Sequence, residues 1–263
     1  MNHGSLFSGI GGFDLAAEWM GWNNIFHCEW NSFGQQVLKY HFPNSISYAD
    51  ITKTDFSIHR GTIDILTGGF PCQPYSSQGE RLGKADERHL FPEMLRAIKE
   101  IQPRWIIGEN VRGLVSWNGG MVFNEVYDDL EREGYEVQSF LIPAASVNAQ
   151  HRRDRVWFIA YNTSDSNSIR LERKETNGNM ARQERFGEYN IKELYTGEGS
   201  PIESPICCEN DGIPRKLDGI TFPKWRIESI KAYGNAIVPQ VALQIFKSIQ
   251  QFENETTQQR CHN

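Results

Sequence analysis

The sequence predicts an α/β chain: a mostly parallel sheet with helices on both faces, then a small irregular region and a C-terminal helix. Three observations predict it. Through residues 1–110, short apolar runs alternate with stretches of helical spacing, the pattern of strands joined by crossover helices. A glycine turn, Ser8 to Gly12, ends the first run and opens the first helical stretch. The composition then changes at Asn162, where Asn, Ser, Gly and Glu replace periodic apolar residues.

The elements follow in order. Leu6-Phe7 is a short strand, and Phe13 to Met20 a helix after the turn. Ile25 to Cys28 is a second strand and Ser32 to His41 a second helix. A third strand ends near Tyr48-Ala49. Ile63 to Thr67 is a fourth strand, running into Gly68-Gly69. Leu90, Met94, Leu95, Ile98 and Ile101 share one helical face, and Trp105 to Gly108 is a fifth strand. Val122 to Glu133 is a helix closed by Gly134. Val137 to Ile142 and Arg155 to Tyr161 read as a late antiparallel pair. Residues 162–220 hold no long periodic element, but Ile169, Leu171, Phe186, Tyr189, Ile191, Leu194 and Tyr195 offer apolar anchors for a small irregular domain. Ala236 to Phe252 is a C-terminal helix with Pro239 in its first turn, and residues 253–263 read as a frayed polar tail. The expected organisation is 1–161, 162–228 and 229–263.

Composition excludes several classes. The longest uninterrupted apolar run, Val156 to Tyr161, is six residues, against the roughly 20 that a spanning helix needs. No basic, then apolar, then small-residue leader opens the chain. Five cysteines without a C-x-x-C pair argue against a disulfide framework or a zinc site and suit a reducing cytoplasm. The net charge of −6 counts mildly against a polyanionic partner, but its distribution softens the objection. Residues 150–231 hold 14 basic and 13 acidic residues, and local patches decide where a phosphate binds.

The turn Phe7-Ser8-Gly9-Ile10-Gly11-Gly12 lets a ligand approach the backbone beside the positive end of a helix. Glu29, twenty residues after Gly9 and at the end of the second strand, is placed for the two hydroxyls of a ribose. Asp50 could receive an adenine amino group and Trp30 could stack on its ring; ordinary packing is the plain alternative for Trp30. Cys72 follows a strand in Gly68-Gly69-Phe70-Pro71-Cys72-Gln73-Pro74. A lone cysteine is more often a packing residue. Glu109-Asn110-Val111 also follows a strand, however, and in a parallel sheet Cys72 and Glu109 come out on the same edge.

These segments carry a resemblance. Ser5 to Phe13, Cys28 to Trp30, Asp50-Ile51, Gly68 to Ser76, Glu109 to Val111, Gln150 to Ile159 and Gly234 to Gln240 resemble, in order, the motifs of bacterial and phage DNA cytosine-5 methyltransferases. The resemblance implies a Rossmann-like S-adenosylmethionine-dependent sheet with a small target recognition domain. It implies that Cys72 adds to carbon 6 of a flipped cytosine, that Glu109 protonates N3, and that Arg153 and Arg155 orient the base and brace the site. Phe7, Ser8, Gly9, Gly11, Gly12, Glu29, Trp30, Asp50, Ile51, Pro71, Leu90 and Asn235 would then hold the cofactor, released as S-adenosylhomocysteine. Gln73, Ser76, Arg81 and Lys84 would meet DNA, with Tyr75 to His89 a closing loop. Arg170, Arg173, Arg182, Arg185 and Arg215 would read sequence within residues 162–220. No metal is implied. A monomer acting on duplex DNA in the cytoplasm is expected, with room for a cognate restriction endonuclease as a functional companion. Three departures stand out: His151 where the family commonly has Gln, Tyr75 for the usual Phe, and a short 162–220 segment.

Three other readings remain open on the residues alone: an RNA cytosine methyltransferase on the same scaffold, a non-catalytic DNA-binding relative, and a nicotinamide dehydrogenase. Intact Cys72 and Glu109 argue against the second. The want of a proton-relay constellation argues against the third.

Overall fold

Seven strands form one sheet in the order β3-β2-β1-β4-β5-β7-β6. The computed structural model describes residues 1–71, 90–163 and 225–261, with side chains over 227–258 in the last stretch. The strands are β1 (Asn2–Leu6), β2 (Asn23–Cys28), β3 (Ile46–Tyr48), β4 (Ile65–Gly68), β5 (Trp105–Val111), β6 (Tyr135–Pro143) and β7 (Asp154–Asn162). The first five are parallel. β7 runs antiparallel to both of its neighbours, β5 and β6.

The helices cover both faces, as parallel strands buried on two sides require. α1 (Gly12–Trp19) and α6 (Pro239–Cys261) cover one face through Phe13, Ala16, Ala17, Val241, Ala242, Ile245 and Phe246. α3 (Phe91–Ile101) and α4 (Met121–Arg132) cover the other through Met94, Ile98, Ile101, Val122, Phe123 and Val126. α2 (Ser32–His41) links β2 to β3. Its start is set by Asn31, whose side chain accepts from the Phe33 and Gly34 amides, an ordinary N-cap.

The sheet order puts the function-bearing turns together. From β1 the chain winds outward through β2 and β3, then returns to lay β4 on the other side of β1. The order therefore reverses between β1 and β4, and the crevice outside the carboxyl ends of such strands is where open α/β sheets take ligands. Leu6 pairs with Cys28 and with Gly68, Cys28 with Tyr48, and Gly68 with Gly108. β1 to β4 thus end level on one edge, and β5 runs three residues beyond them to Val111.

Four sequence expectations are corrected. β1 starts at Asn2, four residues before Leu6, because the polar His3 and Ser5 are buried inside it. His3 bonds Asn24 and Thr67, and burial pushes its pKa down to about 4, leaving it neutral. Glu109-Asn110-Val111 form the last three residues of β5 instead of following it. Residues 253–261 are helical, not frayed: Glu253 accepts from Arg104 at 2.6 Å and from the Trp105 indole at 2.8 Å. A further helix, α5 (Trp225–Asn235), precedes α6. Its exposed Ile227, Ile230 and Tyr233 give it little amphipathic signal in sequence. The antiparallel β6–β7 pair, by contrast, forms as read.

Candidate active site

The glycine turn is held by three left-handed residues, Phe7 (φ 52°), Gly9 (58°) and Gly11 (84°). A Cβ on Gly11 would come within 2.6 Å of the Phe42 ring, so this position tolerates only glycine. Ser8 ties the turn to β2. Its amide and hydroxyl both donate to the Cys28 carbonyl, at 3.1 and 3.3 Å. Its hydroxyl also accepts from the Cys28 amide and bonds Ser5 at 2.5 Å. The Ser5 hydroxyl lies 3.0 and 3.1 Å from the Asp14 carboxyl oxygens. Burial pushes the Asp14 pKa up to about 7, with Ser5 opposing. Asp14 is absent from the residues read from sequence; a carboxyl on the buried face of an otherwise apolar helix is the signal that marks it.

Glu29 closes the turn from the β2 side. Oε2 accepts from the Gly9 amide at 2.6 Å and Oε1 from the Asn31 amide at 2.7 Å. Burial pushes its pKa up, and those two amides oppose the shift. Gly34 permits the closure, since a Cβ there would be 2.6 Å from the Gly9 carbonyl oxygen. Trp30 beside it is 75% exposed. Asp50 follows the paired end of β3, where its carboxylate accepts from the Thr52 amide and hydroxyl and pairs with Lys53. These contacts, the Thr52 hydroxyl first, hold its pKa low. Ile51 is buried in the core. Leu90 caps α3, Pro71 is half-buried, and Asn235 is exposed at the end of α5. The two ends of β2 and β3 thus bring Glu29, Trp30 and Asp50 to one corner, beside the turn.

The second cluster lies at the end of β5. Glu109 is 8% exposed, and its Oε1 pairs with the Arg155 Nε at 2.8 Å. The antiparallel register places Arg155 opposite Val111, so the first residues of β7 arrive at the last residues of β5. Burial pushes the Glu109 pKa up to about 7, against the pull of Arg155 and then Arg153. A carboxyl balanced between these effects holds a proton near neutral pH. Gly69 makes room for it, its absent Cβ lying 3.3 Å from Glu109 Oε2. Asn110 donates to the Phe70 carbonyl at 3.0 Å and so fixes the segment that leads into Pro71. Arg153 turns elsewhere. Its two Nη atoms donate to the Gly234 and Ala236 carbonyls, at 2.8 and 2.6 Å, and its buried Nε has no partner among the described residues.

Cys72, Gln73, Ser76, Arg81 and Lys84 and the Tyr75 to His89 loop lie outside the described residues, as do Arg170, Arg173, Arg182, Arg185 and Arg215. Among the described residues there is no cluster of metal-ligating side chains and no helix long and apolar enough to cross a membrane.

Comparison with known proteins finds DNA methyltransferases. The chain is 35% identical over 171 residues to the type II methyltransferase M.PspPI of Psychrobacter sp. (strain TA137), covering 64% of this chain and 41% of that protein. It is 31% identical over 160 residues to M.HhaI of Haemophilus parahaemolyticus, covering 59% and 47%. The chain therefore spans less than half the length of these relatives. A putative DNA modification methyltransferase encoded within an E. coli prophage superposes with a TM-score of 0.55 at 26% identity, over 65% of this chain and 49% of that one. DNMT2 of Spodoptera frugiperda shares the fold alone, with a TM-score of 0.52 at 23% identity over 66% and 53%. The family model for C-5 cytosine-specific DNA methylases matches residues 1–203, and with more than half of its length inside that match the chain belongs to this family.

Proposed function

We propose that the chain methylates carbon 5 of a cytosine in duplex DNA, with S-adenosylmethionine as donor, Cys72 as nucleophile and Glu109 as acid. The observation that carries this reading is the state of Glu109. It is a buried carboxyl with a pKa pushed to about 7, paired with Arg155 and followed by Asn110, which bonds the Phe70 carbonyl two residues before Cys72. The family model, described for C-5 cytosine-specific DNA methylases, supports DNA over RNA as the substrate.

The cofactor end fits its ligand. Each Glu29 oxygen accepts one backbone amide and has capacity for a ribose hydroxyl. Gly9 leaves the backbone open beside the start of α1, with no atom within 4 Å of where a Cβ would lie. Asp50 and the exposed Trp30 ring would take the adenine edge and face. When bound, the cofactor supplies an electrophilic sulfonium methyl group for carbon 5.

The base must leave the stack to expose its ring. The Cys72 thiolate then bonds carbon 6, and Glu109 gives its proton to N3, so that the ring electrons collect at carbon 5. Arg155 stabilises the carboxylate left behind. After methylation the carbon 5 proton passes to water, its electron pair re-forms the 5,6 double bond and expels Cys72 as thiolate, and N3 returns its proton to Glu109. Residues 162–220, with Arg170, Arg173, Arg182, Arg185 and Arg215, would select the surrounding sequence, since base edges are read by side chains in the grooves. Gln73 and, within the Tyr75 to His89 stretch, Ser76, Arg81 and Lys84 would contact the DNA. A restriction endonuclease would be a companion in function only. Labelled methyl transfer to duplex DNA and to tRNA tests the reading: transfer to DNA alone is expected, and transfer to tRNA alone would contradict it.

A further inference from the structure

We propose that Arg153 is a positioning residue for cofactor binding: it clamps the α5–α6 link, which carries Asn235, so that Ile237 is seated against Gly12 beside the glycine turn, and it does not act on the base. The inference rests on the reading of that turn as the cofactor site. The two Nη atoms donate to the carbonyls of Gly234 and Ala236, at 2.8 and 2.6 Å, and so straddle Asn235. These carbonyls lie at the end of α5, where a helix leaves its acceptors unsatisfied and favours a cation. On the same link, Ile237 packs against Gly12; a Cβ on Gly12 would lie 2.6 Å from Ile237 Cγ1. One contact path therefore runs from Arg153 through residues 234–237 to the first residue of α1.

The backbone explains the division between the two arginines. Residues two apart in a strand point the same way, so an extended Arg153 would share the direction of Arg155. Arg153 instead has a φ of 38°, a region that side-chained residues enter only when their surroundings hold them there. That turn aims its guanidinium at the α5–α6 link and leaves the close ion pair with Glu109 to Arg155.

Calorimetry of S-adenosylmethionine binding to the full chain without DNA tests the clamp. Arg153→Ala should weaken binding by about tenfold or more, the loss expected for charge-assisted bonds. Arg153→Lys keeps the charge but loses the fork that spans two carbonyls, and it should weaken binding too. Arg155→Ala should leave cofactor affinity unchanged. The Arg153→Ala, Asn235→Ala double variant should bind no more weakly than the weaker single variant, because both act through one segment. At saturating cofactor, Arg153→Ala should recover its single-turnover rate, placing the defect in KM and not in kcat. Wild-type affinity in every Arg153 variant that folds, additive losses in the double variant, or a rate defect that persists at saturation would each overturn the proposal. A wild-type chain that fails to bind S-adenosylmethionine would instead overturn the cofactor reading beneath it.

Discussion

The two ends of the crevice are built by different physics. At the β1–β2 end, the turn is held by backbone conformation and amide bonds: left-handed Phe7, Gly9 and Gly11, and a Glu29 carboxylate taken up by two amides. At the β5–β7 end, the groups are held by charge: a buried Glu109–Arg155 pair within one sheet edge. The first kind of site is set by backbone geometry, as suits binding. The second holds a proton that can leave, as suits a reaction.

That contrast can be broken from either side, and the largest effect is expected at the charged end. Glu109→Gln should lower the methyl-transfer rate by about 10²–10⁴-fold, the usual contribution of a positioned acid, while cofactor affinity stays near wild type. Comparable losses in both would erase the distinction between the ends. In the wild type, Glu109 acts in its protonated form. The single-turnover rate should therefore fall as pH rises through about 7, on the side opposite to the limb set by thiolate formation at Cys72. A profile that keeps rising above that pH would remove Glu109 as the acid.

The conformational end should respond to bulk. Gly11→Ala meets the Phe42 ring at 2.6 Å with a φ of 84°, and should cost about 1–3 kcal/mol of stability along with cofactor affinity. Urea unfolding checks the first effect and calorimetry the second. Glu29→Ala should weaken cofactor binding by about 1.5–3 kcal/mol, with no change in the pH profile of the rate. A shifted profile would mean that the two ends are electrostatically joined.

The last effect concerns stability and not the reaction, at Asp14. Its folded pKa is raised to about 7 from 3.8, so the folded chain binds a proton that the unfolded chain releases. Its contribution is present at low pH and is lost as pH rises from about 4 through 7. Asp14→Asn should flatten the dependence of stability on pH across that window, an effect of at most about 4 kcal/mol. An unchanged slope in denaturant titrations would show that Asp14 does not titrate there.

The same contrast explains what the sequence disclosed. The bounds of α2 were legible because Asn31 caps it and its apolar spacing is regular. The glycine turn and Glu29 were legible because their spacing is local. The start of β1 was hidden by His3 and Ser5, which look exposed until Asn24, Thr67 and Asp14 are seen to satisfy them. The polar end of α6 looked frayed because Arg104 and Trp105, which hold Glu253, lie about 150 residues away in sequence. Strand order is not written locally either. That β7 enters beside β5, bringing Arg155 to Glu109 and freeing Arg153 for the α5–α6 link, emerged only from the sheet.

The central claim is that a Cys72–Glu109 pair does covalent chemistry on cytosine in DNA. A duplex library carrying 5-fluorocytosine tests it most directly, because fluorine on carbon 5 cannot leave as the proton does and the enzyme stays bonded to the base. With S-adenosylmethionine present, the wild-type chain should yield a complex that survives denaturing electrophoresis, and Cys72→Ser should yield none while binding cofactor normally. A denaturation-resistant complex formed by Cys72→Ser, or methyl transfer by that variant at the wild-type rate, would contradict the account.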